Sequence, residues 1–590
     1  MSQATTDFPK HETASRDLRR VLLALSCLAV LFLAAPLLVF FAGGTSGISK
    51  AFFLTVDIPG LITVFLTFLA LSALAVLPPV ARILSSVTPL VLPVSAIAVA
   101  TFSLSAISVD LVYQNYALSM DEWMTRLQAE IFLSGQLSST VPEEWRPFGR
   151  AMFQSFASYD PATGTLASNY RPGMSALYAA FDLVGLGVYT SAMMNALAVV
   201  LVARVARQVF PDSAEAPVLA ALLLATSQQA LAASLTSYAM SAHLCFNLLW
   251  LTLFLHNRLT THVLAALVGV ATASLHQVHF HLFFALPFLL TLLRPFRPRP
   301  VMLYAGIYLV GHLAVLSWDW WSFNSVVRSG AALPPVANNV TPVLSAHQAP
   351  SLLERISAMA RVPSVSDLAS VAVNIVRMMS WQSAALIPLL LIARPYLRTN
   401  KTLMLLIWSL AVSTLPYPFL MPDQGHGWGY RYLHGLLGHL ALLAIPGWIA
   451  LRALGRPRPY LAWVVACLLL SPLVLLPFRG YQIHAMVEPY AMASSFVSEQ
   501  KSDVTIVDSY RIFIGNDIPR NSPIRIETPI TMSLYHLTPD QVRELCGKYD
   551  VTIPATETFS EMGLPVFQDA HPDLSDRYSA VQEAISACNP

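Results

Sequence analysis

Charge is what this sequence has least of. Asp, Glu, Lys and Arg make up 12% of its 590 residues, about half the share of an ordinary soluble domain, which excludes a conventional water-soluble globule. Charge of one sign is lacking too. The net charge is +2 and the basic groups are dispersed, so nucleic acid is excluded as a partner. There are five cysteines. Cys27, Cys245 and Cys467 fall inside apolar segments and read as small buried hydrophobes. Cys546 and Cys588 lie in the tail, where an oxidising compartment permits a disulfide without requiring one. No nucleotide-binding motif occurs. Few ionisable residues interrupt the apolar segments, chiefly Asp57, Asp182 and Arg377, and the two halves show no repeat. Both absences count against a transporter.

What is abundant is apolar length, since 55% of the residues are hydrophobic. At about 20 residues per crossing, about thirteen membrane segments are expected. They run over 21–41, 52–77, 88–108, 173–205, 215–235, 238–256, 262–276, 279–293, 301–317, 366–393, 402–420, 431–451 and 459–477. Segment 21–41 is long for a signal sequence and no clear small-x-small site follows it, so it reads as a retained anchor. The short pair 262–276 and 279–293 reads as a hairpin turning at His276-Gln277-Val278-His279.

The basic groups assign the two sides. Lys10, Arg16, Arg19, Arg20, Arg82, Arg204, Arg207 and Arg258, with the clusters in 294–299, 394–401 and 452–458, resist export and mark the cytoplasmic ends. The opposite face receives Asp121-Glu122, the histidines of 276–281, the loop 426–431 and everything after Arg479. The expected layout is therefore an all-α polytopic membrane protein with a cytoplasmic segment 1–20 and a membrane domain 21–478. External loops cover 110–172, 318–365 and 421–430, and an extracytoplasmic C-terminal α/β domain covers 479–590. Within the second loop, 352–362 could lie along the membrane surface. Trp318, Trp320, Trp321 and Trp428 read as an interfacial belt. In the tail, 504–507 and 511–514 alternate like strands, and Thr538-Pro539-Asp540-Gln541 has capping-box spacing before a helix.

Three motifs on the external side carry chemistry: Ser119-Met120-Asp121-Glu122-Trp123, Tyr170-Arg171-Pro172-Gly173, and Gly427-Trp428-Gly429-Tyr430-Arg431-Tyr432-Leu433. Together they resemble the GT-C superfamily of polyprenyl-phosphate-dependent integral membrane glycosyltransferases. The first is similar to its first external loop, the second to the Tyr-x-Pro-Gly motif and the third to the Gly-x-Arg-Tyr-Leu motif of the branch holding aminoarabinose transferases and protein O-mannosyltransferases. The resemblance covers about 110–440 and implies a GT-C-type helical fold with Asp121 or Glu122 as catalytic carboxylate. Two apolar segments precede the carboxylates where the commonest family layout has one, and histidines replace the lysine or other polar residue that relatives often place in the hairpin.

The residues fit that chemistry in their own terms. Transfer of a sugar needs a carboxylate to take the acceptor's proton, a task for Asp121 or Glu122, and cations to hold the departing phosphate. Arg431, Arg171 and His426 are candidates for the second task, because guanidinium grips phosphate through a fork. Tyr170 and Tyr430, which flank those arginines, are expected to bind donor phosphate or substrate with them, and His276 and His279 could hydrogen-bond phosphate or acceptor. If one helix carried both histidines they could also hold a divalent metal; no other cofactor is implied. The expected partners are a polyprenyl-phosphate-linked sugar, an envelope glycan, lipid or protein acceptor, and membrane lipids. The expected location is a bacterial inner membrane, N-terminus inside and C-terminus outside. The alternatives are a flippase for lipid-linked sugar and a non-catalytic envelope assembly protein. Asp121-Glu122 could equally be a solvated helix start, and Arg431 a headgroup anchor.

Overall fold

The computed structural model describes residues 47–85, 92–153, 156–327, 362–453, 459–569 and 574–586. Segment 21–41, the stretch 352–362 and Cys588 lie wholly or mostly outside them, while Cys546 is disulfide-bonded. Among the described residues, seven helices are long and apolar enough to cross a membrane: Ile48–Leu71, Val94–Leu111, Gly187–Val209, Pro298–Ser322, Lys401–Leu420, Arg431–Ala453 and Leu461–Ser498. A bent pair, Ala216–Ala225 with Gln228–Ser234, makes an eighth if read as one span. Met240–His256, Leu259–Leu275 and Val278–Leu290 are shorter apolar helices. The chain is accordingly a multi-pass membrane protein by helix length and composition.

Of the thirteen expected segments, 21–41 lies outside the described residues and three are the shorter helices; the remaining difference lies in where helices break. The run 173–205 is divided into Pro172–Asp182 and Thr190–Val209. Between them Gly185 takes φ 73, and a Cβ on Gly187 would lie 2.6 Å from Asp182 Oδ1, so a tight turn replaces the helix. The run 366–393 is divided into Val365–Ser380 and Leu386–Ala393, and 215–235 bends by 60°. These last two breaks face one another. Gln229 N donates to Trp381 O at 2.9 Å, Gln228 Nε2 to Gln382 O at 3.0 Å and Ser227 Oγ to Gln382 Oε1 at 2.9 Å. Irregular backbone buried between apolar helices survives because each break satisfies the other's polar groups.

The hairpin turns where the sequence places it. Leu259–Leu275 ends at His276 and Val278–Leu290 starts after Gln277. Seventeen residues span about 25 Å, which separates His276 from the basic end where Arg297 donates to Asn257 Oδ1 at 2.6 Å and Gln208 pairs with His256 at 3.0 Å.

The last span continues through a π turn, Ser471–Leu475, and past Arg479 to Ser498. Beyond it, strands Val504–Val507, Ile530–Ser533 and Val551–Thr552 form a parallel sheet with the first in the centre. The helix Pro539–Lys548 carries the Thr538–Gln541 capping box with Pro539 in its first turn. Residues 511–514, expected as a strand, instead turn: Ile512 makes one bridge to Val566 and Ile514 sits at φ 55. A small antiparallel sheet in the loop after the second span, Ser139–Thr140, Thr165–Ser168 and Ala157–Tyr159, shares one apolar core with the tail. Met124, Leu127, Ile131 and Phe148 pack there with Ile506, Met532 and Leu545. The tail is thereby fastened onto the helix that carries the paired carboxylates.

Candidate active site at the carboxylate helix

The helix Met120–Leu133 begins at Ser119, whose side chain accepts from Glu122 N, and its first turn holds Asp121 and Glu122. Negative charge is favoured there by the free amides of the helix start. The two carboxylates diverge. Asp121 is half-buried on a cavity whose walls include Tyr170, Arg171, Tyr238 and His276. Its Oδ1 accepts from the Tyr170 hydroxyl and its Oδ2 from Arg431 Nη1 at 3.0 Å. Burial opposes its ionisation, but the Arg431 guanidinium and the Tyr170 hydroxyl outweigh burial and hold the carboxyl below its ordinary range.

Glu122 points the other way and is fully buried. Tyr113 donates to its Oε1 at 2.8 Å, and Oε2 has no hydrogen-bond partner. Burial pushes its pKa to about 7, against the Tyr113 hydrogen bond. Trp428, expected in an interfacial belt, is instead buried, with its indole N–H 3.4 Å from the Tyr113 hydroxyl.

Arg431 reaches Asp121 because its loop is built from glycine. Gly427 lies at φ 133 and Gly429 at φ 63, and a Cβ on Gly427 would meet Arg431 Cδ at 2.5 Å. Gln424 ties the loop together: its Nε2 donates to Gly429 O at 2.6 Å, its Oε1 accepts from Arg431 N at 2.8 Å and its carbonyl accepts from Arg431 Nη2 at 2.6 Å. The guanidinium lies 4.7 Å from the Tyr238 ring, a cation–π contact. Its Nε has no hydrogen-bond partner. Arg431 also lines a second cavity, with His243, Phe280, Ser413, Tyr417 and Tyr432.

Tyr170 is delivered by the turn before Pro172–Asp182. Pro172 occupies the first helical position, which suits its missing N–H. A Cβ on Gly173 would lie 2.7 Å from Ser274 O, so glycine lets this helix approach the hairpin and sets the Tyr170 ring 5.4 Å from His276. His276 Nδ1 has no hydrogen-bond partner.

The other expected site residues take different places. Arg171 lines the Asp121 cavity but is held by Asp319, with Nη2 to Oδ2 at 2.6 Å and Nε 3.2 Å from both oxygens, so its fork is already occupied. Tyr430 is turned into the helix core, its carbonyl accepting from Gln229 Nε2 at 2.8 Å. It precedes Arg431 on extended backbone, where neighbours point to opposite sides. His426 Nδ1 lies 3.3 Å from the Tyr238 hydroxyl, and burial holds its pKa near 3, aided by Arg431, so the ring is neutral. His279 packs against Phe280 and Phe283. The break at His276–Gln277 prevents one helix from presenting both histidines, and no group of three His, Cys, Asp or Glu among the described residues could hold a metal. Tyr113, Tyr238, Gln424 and Asp319 were not foreseen. No local motif marks them, because each acts through a partner distant in sequence.

No protein-family model matches the chain, and no curated protein matches it in sequence. Solved structures similar to it include two that it covers over most of their length. One is ArnT from Cupriavidus metallidurans bound to undecaprenyl phosphate, at TM-score 0.46 and 10% identity, covering 79% of this chain and 94% of that one. The other is the same organism's ArnT in the apo state, at TM-score 0.44 and 10% identity, covering 79% and 90%.

Proposed function

We propose that this chain is a glycosyltransferase of the GT-C type, moving a sugar from a polyprenyl-phosphate donor to an acceptor hydroxyl at the extracytoplasmic face of a bacterial inner membrane. The observation that carries the reading is a half-buried carboxylate, Asp121, bound by a hydroxyl and by an arginine, in a cavity lined in part by the ends of apolar helices. In this reading Asp121 takes the proton as the acceptor oxygen bonds to the anomeric carbon. The bond from that carbon to phosphate oxygen breaks, and Arg431 takes the negative charge on the leaving polyprenyl phosphate. A phosphate arriving at Arg431 competes with Asp121 for the guanidinium, so donor binding itself makes the carboxylate more basic. Glu122 supports the helix from behind and does not meet substrate. The C-terminal α/β unit lies on the same face.

The test is sugar transfer by the purified protein in nanodiscs, with a short-chain polyprenyl-phosphate sugar and envelope acceptors. Removing a general base costs about 10²- to 10⁴-fold. Asp121→Asn should lose transfer by such a factor while the protein stays folded, and full activity in that variant would overturn the assignment.

A further inference from the structure

We propose that Asp517, 397 residues along the chain from Met120, is a positioning residue that holds the Asp121–Glu122 turn by accepting the free amide at the start of its helix. The first amides of a helix have no partner within it. Ser119 takes that of Glu122. The amide of Met120 donates to Asp517 Oδ2 at 3.2 Å, so a carboxylate from the tail completes the cap and faces the positive end of the helix.

The grip is built on both sides. Asp517 O accepts from the Tyr116 hydroxyl at 3.0 Å, and Arg520 Nη2 donates to Ala117 O at 2.9 Å. The Arg520 guanidinium lies over the rings of Tyr116 and Trp123, at 5.5 and 5.2 Å. Four residues around the catalytic turn are thus held by two from the tail. The tail's own backbone is bent to do it: Ile514 sits at φ 55 immediately before the turn Gly515–Asp517, a left-handed conformation that a β-branched residue rarely adopts. Asp517 is buried, and its Oδ1 has no hydrogen-bond partner. Burial raises its pKa to about 7, with Arg520 and the Met120 amide opposing and Asp121 reinforcing the rise. Asp517 is not among the residues lining the cavity at Asp121, so it acts through Met120.

The kinetic arm of the test rests on the proposed function; the exchange arm does not. Full-length protein in nanodiscs is compared as wild type, Asp517→Ala and Asp517→Asn, with amide hydrogen exchange read over residues 117–123. Loss of a cap opens a helix start roughly ten-fold more often. Asp517→Ala should exchange faster by about that factor and lose kcat to a similar degree with donor KM unchanged, whereas Asp517→Asn keeps an acceptor oxygen and should stay near wild type. Met120→Pro removes the donor at a position that tolerates proline. It should reproduce the kcat loss, and combining it with Asp517→Ala should add nothing further. Unchanged exchange in Asp517→Ala, faster exchange with unchanged kcat, or additive losses in the double variant would each overturn the proposal. If the wild-type protein transfers no sugar, the proposed function fails, and exchange alone decides whether Asp517 holds the turn.

Discussion

Two aspartate–arginine pairs sit in this molecule in opposite settings. Asp57 and Arg377 meet at 2.6 Å with side chains 1% and 2% exposed; Asp121 and Arg431 meet at 3.0 Å with 20% and 9% exposed. The first pair is closed by protein on every side. Trp381 Nε1 donates to Asp57 Oδ1 at 2.7 Å, Arg377 Nη2 to Gly427 O at 3.1 Å, and Arg479 lies 4.0 Å from the Trp381 ring. The second pair borders a cavity and keeps unused capacity at Arg431 Nε and at the neighbouring His276 Nδ1. The same chemistry serves cohesion in one place and is available to a ligand in the other. Access to a cavity makes that difference, not residue type.

The largest effect expected is at the closed pair. Removing one partner of a buried ion pair costs about 3–5 kcal/mol because the other charge is left uncompensated. Arg377→Leu should therefore lower the thermal midpoint more than any other single variant considered, with a reduced yield of folded protein. Combining it with Asp57→Leu should restore part of the loss, though the Trp381 N–H and the Gly427 carbonyl stay unsatisfied. Thermal unfolding in detergent measures both. A single variant as stable as wild type would erase the contrast between the pairs.

At the open pair the effect should fall on function. Arg431→Lys keeps the charge but not the fork that engages Asp121 and Gln424 together, and a lost charge-assisted hydrogen bond is worth roughly ten-fold or somewhat more. Donor use should weaken by about that factor, with thermal stability little changed. A headgroup anchor would accept lysine, so unaltered donor kinetics would remove Arg431 from the site.

The sequence made one side of this contrast readable and hid the other. Basic clusters and scarce charge located the apolar helices, and three motifs brought Asp121, Tyr170 and Arg431 to one face, where they do meet. Asp57 and Arg377 appeared only as stray charges in apolar runs, because they are 320 positions apart and nothing local marks their pairing. Arg479 read as the start of the exported tail, yet it is buried, donating to Val56 O at 3.0 Å. Gly60 explains its fit, since a Cβ there would meet the guanidinium at 2.0 Å. Arg171 looked like a phosphate ligand until Asp319, 148 residues away, proved to hold it. Helix breaks were misplaced for the same reason: Trp381 and Gln382 end a helix by pairing with another break, a cause that hydropathy does not register.

The smallest effect sharpens the comparison within a single helical turn, where Asp121 and Glu122 respond to pH with opposite sign. Glu122 is raised from 4.5 to about 7 by burial, so its folded-state advantage is complete below about 4.5 and is lost as pH rises through about 7. Asp121 is lowered by Arg431 and Tyr170 against its burial, so its contribution is present above its unfolded value near 3.8 and disappears only as pH falls below it. Between pH 4.5 and 7 only the Glu122 response is in play at this turn, together with that of Asp517, which is raised in the same direction. Each group costs at most about 1.4 kcal/mol per pH unit, roughly one or two degrees in a chain of this size. Buried histidines such as His426, held near 3, add stability with rising pH over the same window, so the readout is the difference from wild type: thermal midpoints should rise with pH relative to wild type in Glu122→Gln, and keep the wild-type slope in Asp121→Asn. An unchanged slope in Glu122→Gln would mean that Glu122 stays ionised when folded, and the division of labour between the two carboxylates would fall with it.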